Sequence, residues 1–343
     1  MFQLLQSYPS YPDGDPHKSE FGLKAYTVDQ AWAMVASAYY LQEHPEYAFN
    51  YAMGIDGVFD YATNLFYEET DLLTYISSGY SNRTQVITTY ALFLYHTVAL
   101  ESAYGVFTRD LAQKAYQPII DNITEASGYL WHESDGSVDI LTNIWAWFML
   151  RTAITSLSTQ MIFGGVNESV IGSHAINDIA SLGVDIMHIT SKMMSLRDSI
   201  ISMWNGYRFP ARRNIDSSYT YDDTLRLVAI SGLFWYLNDR PTSEALLTVT
   251  DSYLTTSGSV SGYCNRPGEP ISIEMTLLTA ILHYKLKGRT MADLTVLSAL
   301  NARQVDGSWV GLLTPNEEPD PYASISSTVW PVLYYHAKHV LFN

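Results

Sequence analysis

Two adjacent acids, Asp222 and Asp223, stand in the run Ser217-Ser-Tyr-Thr-Tyr-Asp-Asp-Thr-Leu-Arg226, directly ahead of the strongly apolar stretch Leu227 to Tyr236. Such a pair has one structural use and one chemical use. At the first turn of a helix, carboxylates meet the positive end of the helix dipole and cap its free N–H groups. In a poorly solvated site, two neighbouring carboxyls repel one another. One is then held protonated as an acid while the other activates water or acts as a nucleophile. That division of labour is what cleavage of a glycosidic bond requires.

The same layout recurs along the chain. Polar or acidic starts precede apolar helical stretches at Asp29, Thr84, Leu141, Asp222, Glu274 and Ser327, spaced 52 to 57 residues apart except for one interval of 81. Helices that are apolar all round are expected to be buried on every side. Between them run more polar, amphipathic partners, at about 47–66, 107–126, 173–204, 242–253 and 290–303. No run reads convincingly as a strand. Six helical hairpins in series predict an all-α chain, an (α/α)6 toroid over residues 26–343 behind an irregular lead-in over residues 1–25. An open helical solenoid is the other arrangement that meets the pattern.

In a closed ring the starts of the inner helices converge on one mouth. That expectation nominates Asp222, Asp223 and Asp29 as acids. Tyr219, Trp131, Arg83, Asn143, Glu274, Tyr263 and Arg226 are nominated as ligand-binding groups, drawn from these starts and from the loops 129–133, 207–213 and 263–266. Aromatic faces stack on sugar rings, and amide, guanidinium and carboxylate groups bond hydroxyls.

Composition narrows the partners. The chain has 343 residues, 35 acids against 19 bases, and a net charge of −16. Nucleic acid and anionic membranes need a basic face, so neither is expected as a partner. No run reaches the roughly 18–20 apolar residues of a membrane span. One cysteine, Cys264, excludes an internal disulfide and a multi-cysteine zinc site, and the nine histidines show no metal-binding spacing. No metal and no cofactor is expected; the ligand is a glycan or another small neutral molecule. The first residues lack the basic start and apolar core of a secretory signal. The protein is therefore expected to stay inside the cell or, if its leader has been removed, to be extracellular, where three Asn-x-Ser/Thr sites would matter. Oligomeric state is left open.

The six-hairpin pattern resembles the toroids shared by many glycoside hydrolases, some polysaccharide lyases and the cyclase domains of class II terpene cyclases. Tyr221-Asp222-Asp223 is similar to the aromatic-Asp-Asp run that supplies the acids in α-1,6-mannanases, although theirs falls earlier in the chain. That resemblance implies a glycoside hydrolase. Thr220-Tyr-Asp-Asp-Thr224 also resembles the D-x-D-D-T motif of class II terpene cyclases, with Thr220 replacing the first acid, and Gln304-Val-Asp-Gly-Ser-Trp309 is similar to their Q-x-x-D-G-S-W repeat. That second resemblance implies protonation of an isoprenoid by Asp222. A non-catalytic binding or structural protein on the same fold is the third reading.

Overall fold

A computed structural model describes residues 31–37, 86, 116–133, 135–164, 186–257, 260–288, 304–305, 308–309, 312–313, 330–331 and 334. Asp29 and Arg83 lie outside the described residues. Two compact units result. One holds the described residues up to Asn205 together with Arg212–Thr220; the other holds Gly206–Ala211 and the described residues from Tyr221 onward.

In the first unit, β1 (Val138–Asp139) leads into helix α1 (Ile140–Gly164), and α2 is Ile186–Ser202. The described part of α1 has no wet face near its start: Ile144, Trp145, Ala146, Trp147, Phe148, Met149 and Leu150 are all buried. Trp145 packs edge-on against Trp32, ring centroids 5.3 Å apart. The amphipathic α2 buries only Ile189, Leu196 and Ile200. Strands β2 (Arg212–Arg213) and β3 (Tyr219–Thr220) join β1 in an antiparallel three-stranded ladder, with Asp139 opposite Arg212 and Arg212 opposite Thr220. Ladders of two residues have no readable period in sequence, which is why the strands were not expected.

In the second unit, α3 (Leu225–Asn238) and α4 (Arg240–Thr250) form a hairpin with one residue, Asp239, between them. Asp239 is extended (φ −154°, ψ 96°) and serves as the C-cap of α3 and the N-cap of α4. Nearly all of α3 from Leu225 to Trp235 is buried, whereas α4 buries one stripe, Ser243, Leu246, Leu247 and Thr250. The Ser243 hydroxyl donates to the Gly232 carbonyl at 2.7 Å, which fixes the register of the hairpin. A Cβ at Gly232 would lie 2.6 Å from Leu282 Cδ2, so glycine is what lets α3 approach α5 (Ile273–Lys287) closely. A 3-10 turn (Asp251–Tyr253) and the hairpin β4 (Leu254–Ser257) and β5 (Val260–Tyr263) follow α4. Strand β6 (Ile271–Ser272) opens α5, and its Ser272 hydroxyl accepts from Met275 N as an N-cap. Three further two-residue strands are described in the unit, β7 (Gln304–Val305), β8 (Ser308–Trp309) and β9 (Leu312–Leu313); β7 pairs with β8, and β9 with β6.

A buried polar pair lies in the core of the second unit. His283 Nε2 and the Tyr263 hydroxyl are 3.2 Å apart, both side chains buried. Burial depresses the His283 pKa below its ordinary 6.5, with Lys287 acting in the same direction and Asp251 opposing. The native protein therefore resists a proton that the unfolded chain accepts. The stability His283 contributes is whole above about pH 6.5 and is lost as pH falls through the depressed native value. Unfolding free energy is expected to drop more steeply between pH 7 and pH 5 in the wild type than in His283→Leu; parallel curves from denaturant titrations would refute this.

Candidate functional site

The start of α3 is built by a neighbouring loop. Thr224 is its N-cap residue and makes no side-chain cap bond. Asp222 and Asp223 thus lie ahead of the first turn and do not cap the helix as the sequence suggested. Two of the N–H groups that a helix start leaves without partners are instead taken by Asn265: Leu225 N donates to its backbone oxygen at 2.9 Å and Arg226 N to its side-chain Oδ1 at 3.3 Å. The loop that presents Asn265 is braced on both sides. Cys264 donates through N and Sγ to the Tyr253 carbonyl. Arg266 and Glu269 close a turn across Gly268, whose φ is +90°.

Freed from capping, each aspartate takes an arginine. Arg266 Nη2 donates to both oxygens of Asp222, at 3.0 and 3.1 Å. Arg208 donates to Asp223 and stacks over the Tyr221 ring, 4.7 Å from its centroid. Asp222 and Asp223 side chains are 41% and 74% exposed, so both acids face solvent with their guanidinium partners and do not share the poorly solvated setting expected from the sequence. The Tyr253 phenol is pushed up chiefly by burial, then by Asp223, with Arg208 opposing and Asp222 adding, so its ring lies in the field of the two carboxylates.

Next to this pair a cleft of about 340 Å³ opens between the starts of α3 and α5. Its walls are Arg226, Asn265, Glu269, Pro270, Ser272, Glu274 and Met275. Arg226 Nη2 donates to Glu274 Oε2 at 2.8 Å across it. Arg266 ties the cleft to the acids, reaching Glu269 at 3.8 Å while it holds Asp222. Asp222, Asp223, Arg226 and Glu274, all nominated by sequence, are thus brought together. Arg208, Asn265 and Glu269 join them. Arg208 and Asn265 fall in loops that the sequence offered, Glu269 lies just beyond one, and nothing in the sequence singles out any of the three side chains.

The remaining nominees are placed differently. Tyr263 lies on β5 with its ring buried and its hydroxyl on His283. Trp131 is buried in the first unit, and Asn143 on α1 is fully buried. The Asn143 amide accepts from Trp131 N at 2.7 Å and donates to Trp131 O at 3.0 Å and Asp139 O at 2.8 Å. In this structure it splices a loop to a helix. Tyr219, on β3, is exposed.

The first unit carries its own charged group. Asp135 pairs with Arg212 on the wall of a shallow cleft of about 380 Å³ that also contains Asn214, Ile215 and Asp216. Nearby, burial first and the Asp139 charge second raise the pKa of Glu133 above its ordinary 4.5, Arg212 partly opposing. Because the native value is raised, the stability associated with Glu133 is present below about pH 4.5 and is lost as pH rises through the native pKa. Glu133→Gln is expected to raise the melting temperature at pH 7 and leave it nearly unchanged at pH 4; a lower value at pH 7 would count against this account. Among the described residues no cluster of His, Cys, Asp and Glu has metal-binding geometry, and no helix is long and apolar enough to cross a membrane.

No sequence-family profile matches the chain, and no curated protein matches it by sequence. Solved structures do match. A family 76 glycoside hydrolase from a bovine Bacteroides thetaiotaomicron strain aligns over 98% of this chain and 72% of its own, at 10% identity and a TM-score of 0.62. An inactive α-1,6-mannanase variant from a Salegentibacter species, in complex with α-1,6-mannotriose, aligns over 93% and 90%, at 11% identity and a TM-score of 0.58. Cellobiose 2-epimerase from Spirochaeta thermophila aligns over 92% and 86%, at 12% identity and a TM-score of 0.61. The fold is the all-α (α/α)6 toroid. Its structural neighbours are carbohydrate-active enzymes of several kinds, and at these identities the likeness extends to the fold alone.

Proposed function

We propose that this toroid is a carbohydrate-active enzyme that hydrolyses a glycan, with Asp222 and Asp223 as its working carboxylates and the Arg226–Glu274 cleft as its sugar-binding surface. The observation that carries this reading is the delivery of two adjacent acids, released from helix capping, to solvent beside a polar cleft. One carboxyl donates a proton to the leaving glycosidic oxygen while the other activates water or attacks the anomeric carbon. Arg266 holds Asp222 in place, and Arg208 does the same for Asp223. The mannanase in complex with mannotriose was inactivated by replacing two neighbouring aspartates with asparagine, which supports assigning the chemistry to such a pair.

An isoprenoid-protonating site calls for a dry pocket with aromatic walls. The surroundings of Asp222 are open and charged, which favours the sugar. The test is release of reducing ends from a panel of neutral polysaccharides that includes α-1,6-linked mannan. New reducing ends that accumulate in proportion to enzyme would support hydrolysis. Binding without release would favour the non-catalytic reading, and neither binding nor release from any glycan would overturn the proposal.

A further inference from the structure

We propose that the cleft between α3 and α5 grips one uncharged hexose residue by two adjacent hydroxyls, set between Arg226 and Glu274, and that this pair makes the protein select neutral over uronate glycans. The inference rests on the reading of the cleft as a sugar site and specifies its substrate class.

The ion pair that spans the cleft is only partly used. Arg226 Nη2 is committed to Glu274 Oε2, but the two side chains stay 33% and 21% exposed, so guanidinium N–H groups and carboxylate oxygen remain at the cleft surface for a ligand. Glu274 brings a second carboxylate oxygen to the same wall. A fixed donor beside a fixed acceptor complements two neighbouring hydroxyls, one accepting from the guanidinium and the other donating to the carboxylate. Both side chains project from the first turns of packed helices, and Asn265 anchors the Arg226 backbone N–H, so the pair is preorganised.

Charge decides the class of sugar. The cleft walls carry two carboxylates, Glu269 and Glu274, against one guanidinium already neutralised by Glu274. The next arginine, Arg266, is shared between Asp222 and Glu269. Among the described residues no uncompensated cation in the cleft remains to receive a uronate carboxylate, which would meet two like charges at close range. A neutral ring meets no such repulsion. Pro270 supplies apolar surface for its C–H face.

The test compares neutral trisaccharides of the manno-, cello- and malto-series with trigalacturonate by calorimetric titration. Wild type, Glu274→Gln and Glu269→Gln are examined, each checked for an unchanged melting temperature. The wild type is expected to bind at least one neutral series and to bind trigalacturonate at least about tenfold more weakly, the ratio that one charge-assisted contact provides. Glu274→Gln should weaken neutral binding by about tenfold and narrow the neutral-to-uronate ratio. Glu269→Gln removes the other wall carboxylate while the Arg226 pair stays, so it should narrow the ratio by strengthening trigalacturonate binding. Neutral binding whose strength and ratio neither variant alters would overturn the inference and leave the sugar site standing, as would tighter binding of trigalacturonate by the wild type. Failure of every sugar to bind would remove both.

Discussion

Asp222→Asn is expected to lower turnover on the glycan by about 10²–10⁴-fold, the range that a positioned acid or base contributes. The substitution keeps the side-chain shape and one oxygen for Arg266, so the loop should stay in place. Asp222 is 41% exposed and its partner 52% exposed, and an ion pair that wet contributes about 0–1 kcal/mol to stability. A large fall in kcat with a melting temperature near wild type and little change in KM is therefore the expected signature. Asp223→Asn should behave similarly, and the double variant should be little worse than either single one, because the two carboxyls serve one reaction. A loss of less than tenfold in kcat for both single variants would remove the pair from the chemistry.

Asn143→Ala should cost about 2–5 kcal/mol of unfolding free energy, since it orphans two backbone groups at once and each costs about 1–3 kcal/mol when left buried without a partner. Those groups are Trp131 N and Trp131 O; the Asp139 carbonyl loses the amide but keeps its place as the first acceptor of the helix. Asn143→Asp gives a finer contrast: it can still accept from Trp131 N but has no N–H to offer the two carbonyls, and it brings a buried charge. Urea unfolding followed by circular dichroism would measure both. A cost below about 1 kcal/mol for the alanine variant would mean that water enters and replaces the amide.

The architecture was legible because helices with no polar face are rare in small proteins. Their repetition, with Asp222 and Glu274 at comparable offsets, calls for a layered, repeated arrangement. Which polar residues stand in the open was much less legible. Asn143 and Tyr263 sit at the same kind of position as Arg226 in the linear pattern. Only packing turns their side chains inward, one to splice a loop and the other to meet His283. Asn265 and Arg266 were hidden for a related reason. Their partners lie 39 and 44 residues away, and no local period links such distant positions. The acids drew attention as helix caps, yet the helix is capped from another loop, and that substitution is what leaves their carboxylates available.

The single residue between α3 and α4 bears on how such a protein can change. With Asp239 closing one helix and opening the next, that end of the hairpin has no slack. One inserted residue would turn α4 by about 100° and carry Ser243 away from the Gly232 carbonyl. The opposite end, where Asn265 and Arg266 meet the start of α3, is held by side chains and short turns, which tolerate replacement. Grafting a different 264–270 segment should retune which molecule is accepted while the keyed end keeps the scaffold unchanged, so variation in taste and conservation of form fall at opposite ends of the same pair of helices.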